Sequence, residues 1–153
     1  MKNRDSRTLE LVRFCCRALD EKKASDLRVL DVRKLSSITD YLVIATATSD
    51  PHLRAMRQEL EKVLEENGTS TVRIETAEHS GWTIVDLFDV MIHLFRGDIR
   101  THYGLENLWK DAAVVSLPLV AGTDSKASRP KPAKASSGLK KAVARPKTRK
   151  ARR

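Results

Sequence analysis

Two apolar runs separated by only two residues constrain this chain more than anything else in it. They occupy positions 82–87 and 90–95, within S-G-W-T-I-V-D-L-F-D-V-M-I-H-L-F (80–95). A connection that short joins two strands only as an antiparallel hairpin. A hairpin with one wet face alternates apolar with polar residues. Here Trp82 and Ile84 alternate with Val85 and Leu87, and Val90, Ile92 and Leu94 alternate with Met91, His93 and Phe95. Both faces therefore need cover. The chain's own helices are the expected cover of one face, and a partner molecule is the expected cover of the other.

The remaining elements follow from periodicity and punctuation. Leu9, Val12, Cys16 and Leu19 recur at helical steps, which predicts a helix over 6–22 with Asp5 or Ser6 as its cap. Residues 27–33 (L-R-V-L-D-V-R) suit a short strand, and the continuous apolar run 41–46 (Y-L-V-I-A-T) suits a central buried one. The next helix has the clearest ends. Asp50 is the expected cap, Pro51 takes the first helical position, and Gly68 follows Asn67 at the stop. Leu53, Met56, Leu60, Val63 and Leu64 form its apolar stripe. A strand at 72–75, the hairpin, and two short helical turns at 97–103 and 105–110 around Gly104 complete the order. The run 112–119 is apolar but fits no single pattern. This order predicts an α/β fold with a mixed sheet of about five strands flanked by helices.

Charge divides the chain in two. Residues 122–153 hold 12 Lys or Arg against one acid, Asp124, whereas residues 1–121 hold 17 basic and 19 acidic residues. The expected organisation is a slightly acidic folded domain, 1–121, and a basic tail, 122–153. In the tail only Leu139 and Val143 offer bulky apolar surface. Burial there cannot offset ordering entropy, so the sequence predicts disorder. Lys140, Lys141, Arg145, Lys147, Arg149, Lys150, Arg152 and Arg153 make its end a polycation suited to RNA. The tail has no aromatic residue to stack on bases, which argues against sequence-specific reading.

No segment approaches the ~20 apolar residues of a membrane-spanning helix, and residues 1–7 are polar and lead into no apolar signal core. The adjacent Cys15 and Cys16 do not form a disulfide framework. A cytoplasmic protein without membrane contact is the expectation.

Chemistry-bearing patterns are sparse. His52, His79, His93 and His102 show no metal-ligand spacing, so neither a metal nor a cofactor is expected. His93, inside an apolar strand, reads as a hydrogen-bonded packing residue. The one catalytic alternative is a Mg²⁺-dependent nucleotidyltransferase. It would have phosphates at the helix following T-A-T-S-D (46–50), and Asp86 and Asp89 as metal carboxylates. Two such carboxylates converge when they lie two apart on a strand. Asp86 and Asp89 are three apart and flank a turn. The preferred reading gives Asp89 the turn and leaves Asp86 facing solvent or a basic partner.

These residues resemble the ribosomal silencing factor, or Iojap-related, family. The likeness rests on T-D-Y-L-V-I-A-T-A-T-S-D-P-H (39–52), G-W-T-I-V-D-L-F-D-V-M-I-H-L-F (81–95), R-T-H-Y-G-L-E-N-L-W (100–109) and K-D-A (110–112), and it covers about residues 6–115. Three positions depart from the family pattern: Ala47 and Phe88 stand where Gly is usual, and Pro51 where Arg is usual. Ala47 and Pro51, beside the start of the helix, put anion binding by that loop in doubt. Phe88 alters the hairpin turn.

The resemblance implies a nucleotidyltransferase-like fold without its catalytic acids, and so a protein that is not an enzyme. It implies a translational repressor that binds the large ribosomal subunit beside the ribosomal protein numbered fourteen, blocks joining of the small subunit, and accompanies late large-subunit maturation. Such a blocker needs an apolar patch with a charged rim. Trp82, Met91, Tyr103, Leu105 and Trp109 are the candidate anchors, and Asp86, Asp89, Asp98 and Glu106 a candidate acidic rim. For Trp82 and Trp109 a place in the core is an equal alternative. A homodimer through the hairpin, and an RNA-binding protein working mainly through its tail, are the competing readings.

Overall fold

The stripe Leu53, Met56, Leu60 and Leu64 is buried in the computed structural model, which describes residues 2–69, 73–77 and 79–118. The basic tail and its eight named cations lie outside the described residues. The elements run α1 (Lys2–Glu21), β1 (Ser25–Asp31), β2 (Tyr41–Ala47), α2 (Asp50–Glu66), β3 (Arg73–Thr76), β4 (Trp82–Asp86), β5 (Val90–Arg96), α3 (Gly97–Tyr103), α4 (Leu105–Leu108) and β6 (Ala113–Val114). The sheet order is β3-β4-β5-β2-β1-β6, with β2 and β5 parallel and the other pairs antiparallel.

The expected fold class is observed, with six strands rather than about five. The extra strand is β6, which pairs Val114 with Leu30 and Ala113 with Asp31. Two residues carry no readable alternation, so only pairing with β1 defines this strand. The cap of α2 also differs from expectation. Ser49, in extended conformation, accepts a hydrogen bond from the His52 amide at 3.2 Å, and Asp50 is already helical. A hydroxyl one residue earlier reaches the free amide of the first turn and leaves Asp50 to favour the positive end of the helix. Helix α1 starts earlier than its periodicity suggests, so Asp5 and Ser6 lie inside it rather than capping it.

The two faces of the sheet are built differently. On one, Val29, Tyr41, Val43, Ala45, Val85, Val90, Ile92 and Leu94 pack under α1 and α2. Cys15 and Cys16 belong to this core as free thiols, and burial pushes both up to about 12. They are inert packing residues at neutral pH. On the other face Leu30, Val32, Leu42, Ile44 and Phe95 form a second cluster, against which Trp82, Met91, Ile99, Leu105, Trp109 and Ala112 are packed half-buried. The face expected to need a partner is thus largely covered by the chain's own C-terminal segment. Ile99 and Leu105 come from α3 and α4, helices too short to show an amphipathic period.

Candidate partner-docking site

The aromatic cluster at the hairpin follows from strand register. Trp82 is paired with Phe95, Ile84 with His93 and Asp86 with Met91, so all six side chains share the second face. The Trp82 ring lies 5.0 Å from that of Phe95, nearly parallel, and 4.7 Å from that of Tyr103. Trp82 Nε1 donates to His93 Nδ1 at 3.2 Å. This bond requires a lone pair on Nδ1, which puts the neutral imidazole's proton on Nε2. Burial lowers the His93 pKa to about 4, so it stays a neutral acceptor. The reading of His93 as a hydrogen-bonded packing residue holds.

Tyr103 reaches Trp82 because of the turn that follows it. Gly104 adopts φ +53°, and its amide bonds the Arg100 carbonyl at 2.9 Å. A Cβ there would lie 2.9 Å from Asn107 Nδ2, and an L side chain would also be strained in this conformation. The turn separates α3, which presents Tyr103, from α4, which presses Leu105 and then Trp109 onto the second cluster.

Arg100 fixes this segment to the sheet. It is buried, and its Nε donates to Glu106 at 2.7 Å. Its Nη1 donates to the Asp26 carbonyl at 2.6 Å and to Thr46 Oγ1 at 2.7 Å. One guanidinium therefore joins α3, α4, β1 and β2 through a rigid planar fork. The sequence reading did not single out Arg100. The available signal was Arg100 and Glu106 six apart around Gly104 within R-T-H-Y-G-L-E.

Of the residues expected at the interface, Trp82, Met91, Tyr103, Leu105 and Trp109 gather on this one face. Tyr103 is 52% exposed, whereas Trp82 and Trp109 are half-buried. The choice between core and surface for these tryptophans thus resolves as both at once. Leu108, which the sequence reading passed over, is 77% exposed on α4.

The acids are less available than expected. Asp86 and Asp89 exchange roles: Asp86 Oδ1 accepts from the Phe88 amide at 3.0 Å and fixes the hairpin turn, while Asp89 is ion-paired with Arg4 of α1. Asp89 is thereby tied to α1 rather than left free. A side chain two residues back from an amide makes the tighter local turn, and only tertiary packing brings Arg4 to Asp89. Asp98 is gripped by Arg96 at 2.7 and 2.9 Å, which lowers its carboxyl to about 2, and Glu106 is held by Arg100. Asp86 alone of the four has no cationic partner among the described residues, so a free acidic rim is not present as expected.

The two candidate carboxylates are engaged separately, Asp86 by the Phe88 amide and Asp89 by Arg4. Among the described residues no group of three or more His, Cys, Asp or Glu is placed to hold a metal. No helix among them is long and apolar enough to cross a membrane. His52 at the start of α2 is occupied internally: its Nδ1 accepts from the Thr48 amide at 3.0 Å, and its Nε2 lies 2.6 Å from the Lys22 carbonyl.

A helix-backed mixed sheet with a half-buried aromatic face is a framework for binding another macromolecule. Comparison with known proteins makes this specific. The family model described as "Ribosomal silencing factor during starvation" matches residues 5–146, and the chain belongs to that family. The match runs beyond the 6–115 expected from motifs and includes part of the basic tail. The chain is 38% identical over 108 residues to a protein named "Ribosomal silencing factor RsfS" from Halalkalibacterium halodurans, covering 71% of this chain and 92% of that relative. A mouse relative, "Mitochondrial assembly of ribosomal large subunit protein 1", is 36% identical over 60% of this chain and 41% of its own length. A crystal structure from Bacillus halodurans superposes with a TM-score of 0.64 at 35% identity, covering 71% of this chain and 99% of that one.

Proposed function

We propose that this protein is a translational regulator that docks on the large ribosomal subunit beside the ribosomal protein numbered fourteen and sterically prevents the small subunit from joining. Large-subunit assembly in the mouse relative's name supports that subunit as the target and a link to its late maturation. The observation that carries the reading is the gathering of Trp82, Met91, Tyr103, Leu105 and Trp109 on one sheet face, with Tyr103 and Leu108 exposed. Aromatic and Met side chains with a dry centre are what a protein interface uses for affinity. Asp86, opposite Met91 in the hairpin, is the one of the four candidate acids without a cationic partner among the described residues and is left to meet a cation of the partner. Asp89 contributes indirectly by anchoring α1 to the turn.

A blocker of this kind needs no catalytic group, and we read the protein as a non-enzyme acting where ribosomes act. The division at 121/122 belongs to the same proposal: the domain recognises, and the tail, through Lys140, Lys141, Arg145, Lys147, Arg149, Lys150, Arg152 and Arg153, adds nonspecific attraction to ribosomal RNA. Sedimentation with separated subunits, followed by a joining assay, tests the whole. Preferential pelleting with large subunits and reduced joining are expected. Equal binding to both subunits, or unchanged joining at saturating protein, overturns it. Deleting 122–153 should weaken binding at low salt and flatten its salt dependence while the subunit preference survives. An unchanged salt slope refutes the role of the tail. Self-association that competes with subunit binding would favour the homodimer instead.

A further inference from the structure

A second feature lies on the other side of the hairpin, between α2 and the β3–β4 edge. It is a cleft of about 490 Å³, a volume in the range of small-molecule sites. Arg54 and Arg57, one helical step apart on α2, line one wall. His79, from the turn between β3 and β4, and the cross-strand pair Thr76 and Thr83 line the other. The two hydroxyls are 3.2 Å apart.

The donors here outnumber their acceptors. Arg57 Nε is buried without a hydrogen-bond acceptor, and its nearest charge partner, Glu61, stands off at 3.7 Å. Arg54 makes no ion pair among the described residues. Asp50 also borders the cleft, but its carboxylate is engaged by Arg96 at 3.2 Å from both oxygens. A buried guanidinium N–H without an acceptor costs stability unless something supplies one. Two guanidiniums, an imidazole and the Thr76–Thr83 pair, whose mutual hydrogen bond leaves one O–H free, match the several acceptor oxygens of a phosphate group.

We infer that this cleft binds the phosphate of a small phosphorylated ligand, with Arg57 and Arg54 as the charged contacts and His79 and the free hydroxyl of the Thr76–Thr83 pair as further donors. The site is separate from the docking proposal: its donors belong to the helix-covered side, although Trp82 borders both regions. A phosphate on an RNA chain offers the same chemistry, but a cleft of about 490 Å³ is sized for a small free ligand.

The test is a titration of the full-length protein, followed by amide NMR at constant ionic strength. Inorganic phosphate, pyrophosphate, a nucleoside diphosphate and a short oligoribonucleotide serve as probes, with chloride as the control. Saturable shifts at Arg54, Arg57, Thr76, Gly81 and Thr83 are expected for the small phosphates. Arg57→Gln should weaken them about tenfold or more, the factor for losing a charge-assisted hydrogen bond. Arg54→Gln, at an exposed position that folding does not need, should weaken them less. Leu108→Ala, at an exposed position of α4 outside the cleft lining, should leave them unchanged. Shifts confined to 122–153, equal shifts with chloride, or saturation by the oligoribonucleotide alone would each overturn the inference.

Discussion

The two faces of the sheet use different means of cover. On one, the long helices α1 and α2 lay continuous apolar stripes over strand residues that are almost fully buried. On the other, four- and seven-residue helices hold half-buried aromatics in place with a buried Arg100 and a glycine turn. The first face is a core whose energy comes from area removed from water. The second is a core that stops short of closing. What it leaves exposed, Tyr103 and Leu108 among half-buried Trp82 and Met91, is what a partner can still bury. On the proposed function, stability and recognition fall on opposite sides of one sheet.

Substitutions should separate these roles. Leu60→Ala empties a fully buried site under α2. It should cost about 2–5 kcal/mol in urea denaturation, with subunit binding per folded molecule unchanged. A loss below about 1 kcal/mol would show that the helix-covered face is not the main source of stability.

Arg100→Ala leaves Glu106, the Asp26 carbonyl and Thr46 without their shared donor. A loss of about 3 kcal/mol is expected, as for a broken buried pair, and Tyr103 and Trp109 should become mobile in side-chain NMR. If stability falls while those signals hold, Arg100 supports the fold but does not position the patch.

Tyr103→Ala should do the reverse of Leu60→Ala. Its ring is half exposed, so the stability change should stay within about 1 kcal/mol, while affinity for large subunits drops about tenfold or more. Unchanged affinity would remove Tyr103 from the proposed interface.

The second face also carries the pH dependence. The His93 pKa of about 4 lies below the ordinary value of 6.5 because burial disfavours the charged ring. Its contribution is fully present above about 6.5 and lost as pH falls toward 4, because the unfolded chain binds the proton more readily. The slope should approach about 1.4 kcal/mol per pH unit within that window. His93→Gln keeps an acceptor for Trp82 and should flatten the slope. Asp31 and Asp98, held low by Arg33 and Arg96, act mainly at lower pH.

The smallest effect belongs to the hairpin turn. Phe88 has φ +67° and is 70% exposed, so its ring gains little burial for a left-handed backbone. Phe88→Gly should stabilise by up to about 1 kcal/mol, the strain relieved less the added freedom of the unfolded chain. Destabilisation would mean that the ring makes a contact worth more than the strain.

Sequence alone was sufficient for the helix-covered face. The α2 stripe, the Pro51 and Asn67–Gly68 punctuation, the buried run of β2 and the tight hairpin are all encoded by residues within one or two turns of each other. Periodicity and turn chemistry act at that range, so both were legible, as were the family motifs. The anchors Trp82, Met91, Tyr103, Leu105 and Trp109 could be named as types, but not as a surface. Tertiary structure decided that they meet, that β6 joins the sheet, and that Asp86 takes the turn while Asp89 takes Arg4. It alone paired Arg100 with groups 54 and 74 residues away, and Asp89 with one 85 residues away. No spacing rule spans such separations. A buried charge accepts whichever partner the packed chain brings within hydrogen-bond reach, and that choice exists only once the sheet has formed.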